Sequence, residues 1–130
     1  MAPDVVKLAE YEYEVPEVDK GYTNQTLYVD IGSNEIQAKE VTEGMKELFI
    51  GGRGFDLWLL WNAFPLDRRI AWDDPENALC ISSGPLGGTT NFPGSGKSIV
   101  ACISPLTGIP IDSNVGGYFG PYLKFSGWDA

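Results

Sequence analysis

The chain has 130 residues, nine Lys and Arg, eighteen Asp and Glu, and no His, for a formal charge of −9. That length supports one domain with one core. Without His, the chain holds no Ser-His-Asp triad, no Cys-His dyad and no His-ligated metal. The negative charge opposes binding to nucleic acid or to an anionic membrane. No apolar run reaches the length of a membrane-spanning helix. Two cysteines are too few for a disulfide framework, a four-cysteine zinc site or an iron–sulfur site. The start of the chain lacks the pattern of a secretory signal, so a cytoplasmic chain with two free thiols is expected.

Residues 1–20 read as an acidic extension. Tyr11, Tyr13 and Val15 alternate with Glu10, Glu12 and Glu14 at strand period, and Pro16 ends the run. The segment suits either an edge strand added to a neighbour or a solvated tail. Residues 25–31 and 35–41 alternate around Gly32-Ser33-Asn34, predicting a β-hairpin with a three-residue loop. Thr42 can cap a short helix through Ile50. After Gly51-Gly52-Arg53-Gly54, a helix from Phe55 to Phe64 is apolar almost all round, which predicts burial on most faces. Residues 78–83 and 97–104 read as short apolar strands carrying Cys80 and Cys102, whose expected fate is burial as free thiols. Residues 116–125 suit a short helix, with Asn114 as a candidate cap. Free amides at a glycine-flanked helix start would favour phosphate.

Residues 80–130 hold ten glycines, five prolines and only four charged side chains. A neutral, Gly-rich, apolar stretch of this kind suits a surface covered by a partner or a ligand. Gly94-Ser95-Gly96-Lys97-Ser98 looks like the end of a P-loop, but Asn91 stands where the first glycine belongs, and a strand follows instead of a helix. Asn24-Gln25-Thr26 fits a glycosylation acceptor only by coincidence, given the missing signal. Gly84 to Thr89 and Ser104 to Gly108 are strand-to-glycine turns, which can be plain turns or places where amides approach a ligand.

In order along residues 21–130 stand Gly21-Tyr22 with Leu27-Tyr28-Val29-Asp30, Phe49-Ile50-Gly51-Gly52-Arg53-Gly54, Pro75-Glu76-Asn77, Ser83-Gly84-Pro85-Leu86-Gly87-Gly88-Thr89, Pro93-Gly94-Ser95-Gly96-Lys97, Ser104-Pro105-Leu106-Thr107-Gly108, and the stretch from Ser113 to Ala130. This series resembles the N-terminal domain of the tungsten-containing aldehyde ferredoxin oxidoreductase family. The resemblance implies an α+β fold, mostly β-sheet with a few short helices, over residues 21–130 and incomplete at its C-terminal end. In that family the domain lies under a tungsten bis-pyranopterin cofactor. Further helical domains carry the cysteines of a [4Fe–4S] cluster, and the enzyme oxidises aldehydes to carboxylates and passes electrons to ferredoxin.

By position, the resemblance gives Asn114 a backbone carbonyl on the Mg²⁺ that bridges the pterin phosphates. It makes Val115, Gly116 and Gly117 the adjoining cofactor-facing residues. Lys97 falls where the family usually has an arginine between pterin and cluster. Lysine keeps the charge and loses the planar fork. No catalytic residue is expected in this chain, so a larger chain with the cluster cysteines, and ferredoxin or another electron carrier, are the implied partners. The competing reading is a non-catalytic binding or assembly module that kept the fold and lost the cofactor.

Overall fold

The computed structural model describes residues 5–91 and 93–130. Two small antiparallel sheets and three short helices make up the expected mostly-β architecture. The first sheet is the hairpin of β1 (Gln25–Asp30) and β2 (Glu35–Glu40), paired from Gln25↔Glu40 to Asp30↔Glu35. Its loop has four residues, 31–34, rather than three. The Asp30 carboxylate accepts from the amides of Gly32 and Ser33 and draws the loop start inward, while Asn34 takes a left-handed φ of 60°. The second sheet has the order β3 (Cys80–Ser83), β4 (Ser98–Ile103), β5 (Pro110–Val115). β5 has no apolar alternation to betray it. The segment from Pro110 to Val115 becomes a strand because β4 offers an open edge along its whole length.

Helix α1 (Glu43–Phe49) begins as expected, with the Thr42 hydroxyl accepting from the Met45 amide. Helix α2 (Arg53–Ala63) packs on β3 and β4 and differs from its expected burial. Phe55, Asp56, Leu59 and Leu60 face inward, whereas Leu57, Trp58 and Trp61 stay exposed. The domain has a sheet on only one side of this helix, so one stripe is covered and the opposite aromatic stripe is not. Phe55, Leu59 and Leu60 join Val41, Met45, Cys80 and Ala130 in the core.

Helix α3 (Phe119–Phe125) starts later than expected. Its N-cap is Tyr118, and Asn114 lies in β5 opposite Ile99. Ladder pairing with β4 outweighs the local capping preference of Asn114. The acidic extension adds no strand along 10–15. Tyr13 instead packs against Trp128 with ring centroids 4.6 Å apart and donates its hydroxyl to the Ser126 carbonyl at 2.8 Å. The Asn24 side-chain carbonyl accepts from the Lys46 ammonium at 2.9 Å.

A buried ion pair closes the domain. Lys124 and Asp129 are both almost fully buried and bonded to each other. Lys124 also donates to the Gly21 carbonyl at 2.8 Å, and the Asp129 carboxylate accepts from the amides of Thr23 and Asn24. Removing either partner alone would leave a bare buried charge.

A second buried acid is differently placed. Asp56 is fully buried on α2 and its carboxylate oxygens have no hydrogen-bond partner. Burial pushes its pKa up to about 7, the neighbouring Ser82 hydroxyl opposes that rise, and the Asp112 charge adds to it. The folded pKa lies above the unfolded one, so the folded chain binds a proton that the unfolded chain has lost. Stability from this group is present below the unfolded carboxylate range and falls as pH rises toward 7, by on the order of 4 kcal/mol in full. Asp56→Asn removes this dependence. In urea unfolding, the variant is expected to gain about 2 kcal/mol or more over the parent between pH 5 and pH 8. Parallel pH profiles for the two chains would contradict the assignment.

Candidate functional site

Three glycine-rich loops meet at the end of the second sheet where β4 begins and β5 ends. They are residues 84–89, 93–97 and 116–120. Register brings them together, because Ser98 lies opposite Val115 and Lys97 therefore faces the start of the loop at Gly116. The 84–89 loop joins through the amide of Gly88, which donates to the Ser95 carbonyl at 3.0 Å, and through the Ser95 hydroxyl, which donates to the Thr89 carbonyl at 2.7 Å.

The seam is built on missing side chains. A Cβ on Gly96 would stand 2.6 Å from the Gly117 carbonyl oxygen, and one on Gly120 would stand 3.1 Å from the Lys97 carbonyl oxygen. At Gly96 a side chain would force the backbones apart, and at Gly120 the neighbour would have to give by a few tenths of an ångström. At Gly117, where φ is 94°, the outward side is clear, with nothing within 4 Å of a Cβ position. The same point on Gly116 lies 3.6 Å from the Lys97 Nζ. Lys97, Asn114, Gly116 and Gly117 are all exposed, and Val115 is half-buried.

Strand alternation fixes the direction of the Asn114 backbone. Ser83 donates its amide to Asp129 and accepts from Gly52, so its backbone groups point away from β4. Ser82 and Ile99 are then the bonded pair between β3 and β4, and Ile99 turns its backbone toward β3. Asn114, opposite Ile99, consequently turns its amide and carbonyl to the outer edge of β5. The structure thus gathers all five predicted residues at one end of one strand pair. It does not supply the helix start that was expected to present free amides there.

Other sequence candidates lie elsewhere. The Ser104–Gly108 turn sits at the opposite end of β4, roughly 20 Å along a six-residue strand. Its Ser104 hydroxyl accepts from the amides of Leu106 and Thr107, and Arg69 donates to the Gly108 carbonyl, so it is a closed turn. Cys80 is buried, and burial pushes its thiol up to about 12, the Asp56 charge adding to the rise. Cys102 is half-buried. Among the described residues, no cluster of three metal-ligating side chains occurs.

Two features near the site stand in quoted motifs but were not singled out as site residues by the sequence. Arg53, in the Gly-Gly-Arg-Gly segment, pairs with Asp112 at 2.8 Å and fills the charge of the acid nearest Asn114. Ser83 and Ser98 face each other across β3 and β4 beneath the loops, and both hydroxyls are buried without a partner. Serines in a short apolar strand have no pattern that separates such a pair from surface serines.

Residues 26–130 match the family described as aldehyde ferredoxin oxidoreductase, N-terminal domain. The chain is 39% identical over 110 residues to a tungsten-containing aldehyde ferredoxin oxidoreductase of Pyrococcus horikoshii, covering 85% of this chain and 18% of the relative. It is 38% identical over 110 residues to the enzyme of that name from Thermococcus kodakarensis, with the same coverage. An aliphatic sulfonate oxidoreductase, WOR-like subunit, of Pyrococcus furiosus is 32% identical over 111 residues, covering 83% of this chain and 17% of its own length. Among solved structures, the active site complex BamBC of benzoyl coenzyme A reductase with 1,5 dienoyl-CoA superposes with a TM-score of 0.77 at 32% identity, covering 84% of this chain and 16% of that one.

The fold and the family match define the class of domain. The chain belongs to the aldehyde ferredoxin oxidoreductase family and corresponds to its N-terminal domain. It spans about a fifth of the length of the curated relatives it matches. Among the described residues, no helix is long and apolar enough to cross a membrane.

The close approach at Gly96 can be tested directly. Gly96→Ala is expected to cost about 1–3 kcal/mol of unfolding free energy, because its contact is with backbone. Gly116→Ala, which meets only the end of a lysine, should stay within about 0.5 kcal/mol. Equal losses in chemical denaturation would contradict the seam.

Proposed function

We propose that this chain is the N-terminal part or small subunit of a tungsten bis-pyranopterin oxidoreductase and forms the floor of its cofactor site. The observation that carries this reading is the convergence of the Lys97 ammonium, the clear face of Gly117 and the outward carbonyl of Asn114 at one end of β4 and β5. These residues fit the group they are assigned to. An open glycine backbone admits a flat ring system or a phosphate, and a single cation beside it favours an anion. The Asn114 carbonyl is one hard oxygen ligand for a Mg²⁺, whose remaining ligands would come from phosphate and water.

When bound, the cofactor supplies the redox chemistry. The chain's residues orient it: Gly116 and Gly117 keep side chains out of its path, Gly96 holds the Lys97 loop against them, and Lys97 places a positive charge at the rim. The reaction assigned to the assembly is aldehyde oxidation to carboxylate, with electrons passed to ferredoxin. This chain contributes no acid or base to it. Cluster ligands and catalytic groups are assigned to a larger partner chain carrying the cysteines of a [4Fe–4S] cluster.

A positive charge near a redox centre makes its reduction easier, so Lys97 should act on electron flow more than on loading. In the assembled enzyme, Lys97→Ala is expected to keep tungsten and pterin content within about twofold while electron transfer to an external acceptor falls about tenfold. Equal loss of tungsten and activity would overturn the role given to Lys97.

A further inference from the structure

The end of β4 away from the glycine seam borders a cavity of about 390 Å³. It is lined by Trp61 and Phe64 near the end of α2, by Ile70, and by Ile103 and Ile109 on either side of the Ser104–Gly108 turn. Ile70 and Ile103 are buried, whereas Trp61 and Ile109 stand exposed. The cavity is therefore apolar at depth and aromatic at its mouth. Its volume lies within the range of small-molecule sites.

Arg69 borders this cavity and also a second one, of about 280 Å³, that is lined by Trp72. The Arg69 guanidinium donates to the Gly108 carbonyl at 3.1 Å and so ties the segment after α2 to the turn. Gly108 has a φ of 66°, and a Cβ there would stand 3.3 Å from the Arg69 Nη2. The glycine thus makes the turn and also leaves the guanidinium its room.

The charge on Arg69 is not met by an acid. Arg68, its neighbour in sequence, pairs with both Asp74 and Glu76, and Arg53 pairs with Asp112. Among the described residues, Arg69 has the Gly108 carbonyl as its acceptor and no carboxylate partner. A guanidinium presents five N–H donors in a planar fork, and one carbonyl uses few of them. The chain holds eighteen acids and nine Lys and Arg, so an arginine that no acid takes up is the exception. Such a cation at the mouth of an apolar cavity matches a carboxylate carried on an apolar body.

We propose that this cavity binds a small aromatic monocarboxylate. The ring lies among Trp61, Phe64 and Ile103, and the carboxylate pairs with the Arg69 fork. Burying the ring removes apolar area from water, and the guanidinium keeps the charge out of the apolar walls. A dicarboxylate fits poorly, because its second charge would enter those walls unpaired. The site lies roughly 20 Å along β4 from Lys97 and does not depend on the cofactor reading.

Equilibrium dialysis of the natively purified protein, with every chain that copurifies, tests this with phenylacetate, its neutral isostere phenylacetamide, and acetate. Phenylacetate is expected to reach half-saturation at or below about 1 mM, with the amide and acetate at least about tenfold weaker. Arg69→Gln should weaken phenylacetate at least about tenfold and shift phenylacetamide less than about twofold. Trp61→Ala, at an exposed position, should weaken both aromatic probes alike. In the intact chain, the amides of Gly108 and Ile109 should shift during phenylacetate titration, and those of Gly116 and Gly117 should stay in place. Equal affinity for acid and amide would overturn the proposal, and that comparison needs no variant. Phenylacetate binding untouched by Arg69→Gln, or shifts at Gly116 and Gly117 instead, would also overturn it. So would a self-associated chain that Trp61→Ala returns to the monomer while phenylacetate does not.

Discussion

The buried pair of Lys124 and Asp129 is the constraint on which the rest of the domain depends. The two sheets share no ladder, so something else must hold them in register. Asp129 does so with every polar group it has. Its carboxylate takes the amides of Thr23 and Asn24 just before β1, its own amide bonds Gln25, and its carbonyl takes Ser83 from β3. Lys124 neutralises the charge and adds Gly21 to the knot. The end of α3 is thereby fixed against both sheets. Since α3 packs on the Lys97 backbone through Gly120, the knot also positions the glycine seam.

Much of this was legible in the sequence, for reasons that can be stated residue by residue. The hairpin of β1 and β2 announces itself by alternation and by Gly32-Ser33-Asn34, and Thr42 caps α1 through a local hydroxyl-to-amide bond. β5 was not legible, because Pro110 to Val115 has no alternation and owes its shape to a neighbour far away in sequence. The same pairing explains why Asn114 is a strand residue rather than a cap. The apolar helix from Phe55 was legible as a helix but not in its burial, because Trp58 and Trp61 look like core and lie on the open side. The inward Asp56 is hidden for the opposite reason, as an acid in a first helical turn reads as a surface residue.

The site was legible only through ordered motifs. Composition and spacing alone leave Gly94 to Lys97 and Ser113 to Gly117 as two unremarkable loops. Their resemblance to a family placed them in one function, and the β4–β5 register places them side by side. What the sequence could not convey is how close they come, since the seam consists of backbone meeting backbone at Gly96 and Gly120. The unpartnered hydroxyls of Ser83 and Ser98 beneath it belong to the same category of information, visible only in three dimensions.

The central claim is that this domain is the floor of a tungsten cofactor site completed by a larger chain. The most direct test is metal and pterin analysis of the natively purified protein, together with the intact mass of every chain that copurifies. The account predicts tungsten, pterin and a larger cysteine-containing partner. A chain that purifies alone, with neither metal nor pterin, would contradict it and would remove the support for Lys97, Asn114, Val115, Gly116 and Gly117 as cofactor-facing residues.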